Sequence, residues 1–215
     1  MEPREVAELV LDRVVSYCEH NSGDSTLDCM AYHSPDQLSV FIDAYLNEEE
    51  NKDLEKAIES SDTFWDEVEK EYEKLWNEWW IKDIAYHLDD ELKTLYEAIA
   101  YNDLLLTDSC RVKRLKAYEE LLNEFKDAIR RAIKERKPLT ELELRDWFKK
   151  MGEAVYGTKN NYYEKEVTYY LNYYDMLDYN DKLEILSILL NDYIDNDLFY
   201  IKQKLSELGA LTNKS

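Results

Sequence analysis

Apolar residues in this chain recur every three or four positions along nearly every long stretch, the period of a helix with one buried face. Behind Pro3, the positions Val6, Leu9, Val10, Arg13, Val14 and Tyr17 keep that spacing. They predict an amphipathic helix over 3–19 that stops near His20-Asn21-Ser22-Gly23. Ser34-Pro35 supplies a cap and a first-turn proline for a second helix reaching about Asn47, with Leu38, Phe41, Ile42 and Tyr45 inward. A short acidic helix through Leu54 and Ile58 follows.

The longest pattern begins after Ser60-Ser61 and meets no Gly or Pro before about Leu105. Trp65, Val68, Tyr72, Leu75 and Trp79 step by 3, 4, 3 and 4; Trp80, Ile84, Leu88, Leu92, Leu95 and Ile99 continue on a stripe displaced by one residue. The displacement predicts a widened face or a bend near Trp79-Trp80. So long a pattern predicts a central helix around which others pack, or a dimerising arm.

Thr107 or Asp108 caps a helix over 109–136, with Val112, Leu115, Tyr118, Leu122, Phe125, Ile129 and Ile133 inward. Thr140-Glu141-Leu142-Glu143 reads as a capping box opening a helix to Tyr156, which Gly157 ends. A tyrosine-dense helix over 161–177 and two more, 181–194 and 196–208, complete the chain. The expected fold is all-α: a multi-helix bundle of seven to nine helices around one long central helix, with 109–156 antiparallel to it because the connections are short. Residues 1–215 are expected to form a single helical domain, its one seam at 137–140.

Composition agrees. Four Gly and three Pro in 215 residues leave few of the residues that tight turns need. A hydrophobic content of 45% with 13% aromatics is too rich for an acidic disordered chain. Residues 1–13 contain no apolar h-region, and no run reaches the length of a membrane span, so a cytoplasmic protein without membrane contact is expected. Three cysteines at no framework spacing, Cys18, Cys29 and Cys110, fit reduced thiols.

Charge changes the picture more. The net charge is −21, and it is unevenly laid out: 29 Asp and Glu against 8 Lys and Arg in 1–110, then 10 basic against 5 acidic in 111–137. Such a field repels nucleic acid and anionic membrane and attracts basic protein surfaces. Glu48, Glu49, Glu50, Asp66, Glu69, Glu73, Asp89 and Asp90 are the candidate acidic contacts, joined by Tyr169 and Tyr173, an i,i+4 pair off the main stripe suited to anchoring an interface.

Motifs for catalysis are missing: there is no glycine-rich phosphate loop and no paired Glu-x-x-His, so no catalytic residue is assigned and a non-enzymatic role is expected. His87, near Asp89 and Asp90, lacks the adjacent His-Asp and the further histidines of a metal phosphohydrolase. Glu67, Glu69, Glu71 and Glu73 alternate around a helix and cannot converge on one ion. Cys18-x-His20 and Cys29-x3-His33 bring two cysteines and two histidines within 16 residues, a candidate zinc clip between the first two helices. Cys18 and His20 share a metal only if the helix ends between them.

The expected function is therefore that of an acidic binding protein occupying a basic, nucleic-acid-binding surface of a partner. In charge and helicity, through no specific motif, the chain resembles nucleic-acid-mimicking inhibitors made by viruses and mobile elements. The alternatives are a nucleic-acid-associated subunit gripping phosphates through 111–150, with Arg130, Arg131, Lys134 and Arg136 as contacts, and the zinc-stapled helical module. A homodimer is compatible with each.

Overall fold

The computed structural model describes residues 2–21, 26–40, 62–157 and 162–212. These residues are all-α and contain no strand. Eight α-helices run in the order α1 (Pro3–Asn21), α2 (Thr26–Tyr32), α3 (Asp62–Ala100), α4 (Asp108–Lys134), α5 (Glu141–Tyr156), α6 (Tyr162–Met176), α7 (Tyr179–Ile188) and α8 (Asp195–Thr212). At 39 residues, α3 is by far the longest. None of the described helices is long and apolar enough to cross a membrane.

Two compact units divide the chain, Met1–Trp80 and Ile81–Ser215. The boundary lies inside α3, where the apolar stripe shifts by one residue, and not at 137–140. Val68 and Tyr72 before it and Ile84, Leu88, Leu92 and Leu95 after it are all fully buried. The displaced pattern thus coincides with the boundary between the two units.

In unit 1, α1 buries Val6, Ala7, Val10, Leu11, Val14 and Cys18, while Tyr17 is half exposed. The inward face is rotated from the expected one, and Cys18 on it is tied to Cys29 on α2 by a disulfide. Of the three cysteines expected as thiols, only Cys110 is free. Helix α2 precedes Ser34-Pro35, where a break was expected. Pro35–Gln37 forms a 3₁₀ turn after Ser34, whose side chain makes no capping bond. The expected helix beyond residue 40 and the one through Leu54 and Ile58 lie outside the described residues.

In unit 2 the second half of α3 packs antiparallel to α4. Arg111 donates to the Ile99 carbonyl at one end, and the Tyr118 hydroxyl donates to the Leu92 carbonyl at 2.7 Å further along. Helix α5 runs back along α4, with Phe125 against Phe148 and Arg114 donating to the Val155 carbonyl. Helix α6 returns along α5, where the Tyr174 hydroxyl reaches the Leu139 carbonyl at 2.7 Å.

The ends of these helices follow local chemistry. Asn102, at φ 61°, closes α3 before the expected 105, with the Asp103 amide on the Ala98 carbonyl and the Asn102 amide on that of Ile99. Arg136, at φ 53°, closes α4 the same way, ahead of Pro138. Thr140 and Glu143 form the expected capping box, and Gly157 at φ 91° ends α5. The break expected near 195 is instead a π-helical stretch, Leu189–Ile194, through which α7 passes directly into α8. One residue inserted in this way rotates the face that follows.

Candidate functional site

The expected acidic contacts fall into three groups. Glu48, Glu49 and Glu50 lie outside the described residues. Asp66, Glu69 and Glu73 are exposed and share one side of α3, flanking the buried stripe of Val68 and Tyr72, with Asp90 exposed further along the helix. Spacings of three and four place successive members about 4.5–6 Å apart along the helix axis. Glu69 accepts from the Trp65 indole at 2.7 Å. Glu67 and Glu78 are exposed beside them, whereas Glu71 is turned toward the cations Arg4 and Lys74, at 3.7 and 2.6 Å.

Asp89 belongs to none of these faces. It is 7% exposed and stands among Ala85, Leu88 and Leu92 on the inward side of α3. Its neighbour is Asp197 of α8, 6% exposed and placed by the turn that follows the π-helical stretch. Burial raises both carboxyls above their usual range, Asp89 to about 8, and each feels the other. Asp197 also accepts from the Tyr96 hydroxyl at 2.8 Å. Tyr118 packs on Tyr96 at 6.0 Å and is itself raised by burial. Sequence reasoning missed Asp197, Tyr96 and Tyr118. The available signal was an acid at a core position, since Asp197 lies between Ile194 and Ile201 at spacings of three and four. The pair is closed to solvent and is absent from the walls of the open grooves along α4–α5 and beside α1. Its chemistry is that of two neighbouring carboxyls, both raised by burial.

The cysteine and histidine cluster is partly assembled. Cys18, Cys29 and His33 place their ligand atoms within 4.8 Å of one another. His33 Nδ1 lies 3.8 Å from Cys18 Sγ, 3.9 Å from Cys29 Sγ and 2.9 Å from the Cys29 carbonyl oxygen. His20 is not part of this group. Helix α1 continues through Asn21, so the side chain two residues past Cys18 points away, and its Nδ1 sits 2.7 Å from the Ser16 carbonyl. The segment carrying His33 is held from α3: the Tyr72 hydroxyl donates to the His33 carbonyl at 2.9 Å and the Trp76 indole to the Met30 carbonyl at 3.3 Å.

Several basic side chains of unit 2 are engaged within it. Lys126 pairs with Asp195, Arg145 with Glu141, and Arg111 with Asp108 and the end of α3. Among the candidate phosphate contacts, Arg130 lies 3.4 Å from Asp127, while Arg131, Lys134 and Arg136 are exposed near the C-terminal end of α4, where cations complement the helix dipole. Tyr169 and Tyr173 are half-buried and meet edge-on at 5.2 Å. His87 stacks on Tyr170 at 4.5 Å and lies 3.5 Å from Asp83. Compared with family models, curated proteins and solved structures, the chain matches none.

Proposed function

We propose that this protein acts without catalysis, by setting the acidic surface of unit 1 into a basic surface of a partner protein, one built to hold nucleic acid. In this reading it is an inhibitor of viral or mobile-element type that works in the cytoplasm. The supporting observation is the difference in charge between the units: Met1–Trp80 holds 22 Asp and Glu against 6 Lys and Arg, while Ile81–Ser215 holds 26 against 21. Asp66, Glu69 and Glu73 present carboxylates in a row on a rigid helix, and a groove evolved to bind regularly spaced phosphates attracts such a row.

The test is capture by the full immobilised chain of basic nucleic-acid-binding proteins from the native host, at about 50 mM and about 500 mM salt. Capture should fall several-fold at high salt, in the presence of heparin, and with the D66N/E69Q/E73Q variant. Capture insensitive to all three would end the proposal. Retardation of duplex DNA by the chain itself, lost on replacing Arg130, Arg131, Lys134 and Arg136 with Ala, would replace it with direct phosphate binding through α4.

A further inference from the structure

We propose that Cys18, Cys29 and His33 form a redox-gated site for a zinc-class divalent ion, closed in the disulfide form and opened by a thiol reductant. A disulfide that served only to tie α1 to α2 has no need of an imidazole nitrogen 3.8 and 3.9 Å from its two sulfurs. Those separations match what a metal asks for. With zinc bonds of about 2.3 Å to sulfur and 2.0–2.1 Å to nitrogen, tetrahedral geometry sets sulfur and nitrogen about 3.6 Å apart and the two sulfurs about 3.8 Å apart. The histidine already stands near that distance from both sulfurs. Only the bonded sulfurs need to part, which is what reduction does.

The support around the ligands belongs to the same unit. Tyr72 and Trp76 pin the backbone of the turn that carries His33, and the Tyr17 ring meets the His33 ring edge-on at 5.7 Å. Cys18 is fully buried on α1, whereas Cys29 and His33 are half-buried, so an ion would enter from their side.

The chemistry balances in two steps. Two equivalents of a monothiol, or one of a dithiol, reduce the Cys18–Cys29 bond and leave as a disulfide, giving two thiols. Zinc(II) then displaces both thiol protons and binds two thiolates and the imidazole, with water in the fourth position. For Nδ1 to bind, the ring proton moves to Nε2 and the contact with the Cys29 carbonyl is given up.

Cobalt(II) and zinc titrations of the full chain, reduced anaerobically or left oxidised, with excess magnesium to occupy surface carboxylates, test this. The reduced chain should take up one equivalent, release two protons and show thiolate-to-cobalt charge-transfer absorption, and the oxidised chain should do none of these. Cys29→Ser should abolish the absorption. His33→Gln should weaken binding by at least the roughly 10–100-fold that loss of a supporting group costs. Equal uptake by both redox forms, uptake without charge-transfer absorption, or no uptake by the reduced wild-type chain would each overturn the proposal. The wild-type comparison needs no substitution at the buried Cys18.

Discussion

The two units differ in that one keeps its carboxylates outside and the other buries a pair of them. Along α3 in unit 1, Asp66, Glu67, Glu69, Glu73 and Glu78 face solvent, while Arg4 and Lys74 both gather at Glu71. In unit 2, Asp89 and Asp197 are inside the core, and some bases of α4 and α5 meet acids of the same unit, as Lys126 meets Asp195 and Arg145 meets Glu141. Unit 1 spends its charge outward and joins its two N-terminal helices with a covalent bond. Unit 2 buries two of its carboxylates, Asp89 and Asp197, and is held by a broad core running from Leu115, Tyr118, Leu122 and Phe125 to Phe148, Leu171, Tyr174 and Ile201. Acid that faces water costs little stability and is available for long-range attraction, whereas acid in a core must hold its proton or strain the fold.

If that contrast is right, unit 2 depends most on packing. Phe125 is fully buried and touches the rings of Trp147 and Phe148 at 5.5 and 6.3 Å. Phe125→Ala should destabilise the chain by about 3–5 kcal/mol in urea unfolding, with amide protection lost from α4 and α5. A loss below about 1 kcal/mol would mean that this core is loosely packed.

Unit 1 should answer instead to its cross-link. Cys18 and Cys29 are 11 residues apart, and closing a loop of that length restricts the unfolded chain by about 3 kcal/mol. Reduction in the presence of a chelator should lower the stability of α1 and α2 by about that amount, read from their hydrogen exchange. Added zinc should restore part of it if the thiolates take up metal. Unchanged exchange on reduction would show that the apolar stripe from Val6 to Val14 suffices alone.

The buried acid pair supplies a pH signature that unit 1 should lack. Asp89 ordinarily titrates at 3.8 and is raised to about 8 in the fold, with Asp197 raised as well, so the folded chain holds more protons than the unfolded chain between those values. Stability from this source is therefore greatest at about pH 4 and falls as pH rises toward 8. Asp89→Asn leaves a neutral amide beside Asp197 and removes the titration. It should be nearly neutral at about pH 4 and stabilise by about 1–3 kcal/mol at about pH 8, measured as a difference in urea midpoint. Destabilisation at both values would show that the carboxyl has a partner the amide cannot replace.

Much of this architecture was legible from spacing alone. The α4 stripe, the Thr140 capping box and the stripe shift at Trp79-Trp80 all follow from helical period and cap chemistry, which act over a few residues. What spacing could not give depends on contacts far apart in sequence. Asp89 looked like surface acid because its partner lies 108 residues away on α8. The Cys18–Cys29 bond joins two separate helices, and the π-helical stretch before Asp195 leaves no residue signature. The early end of α3 was hidden because Asn102 took the left-handed position that glycine more often fills. Within the cysteine and histidine cluster, proximity in sequence was informative for Cys18, Cys29 and His33. It misled for His20, since α1 continued past the point where it had to stop.

The smallest effect on stability should come from the acid row itself, and that smallness is what the contrast requires. Asp66, Glu69 and Glu73 are exposed, and the hydrogen bond Glu69 receives from Trp65 survives replacement by Gln. Neutralising all three as D66N/E69Q/E73Q removes like-charge repulsion on one side of α3. The urea midpoint should rise by no more than a few tenths of a kcal/mol equivalent at low salt and converge with wild type near 0.3 M salt, where screening does the same work. If the variant instead loses 1 kcal/mol or more, independent of salt, those carboxylates are structural groups like Asp197. Unit 1 would then not be a scaffold carrying free acid, and the outward half of the contrast would fail.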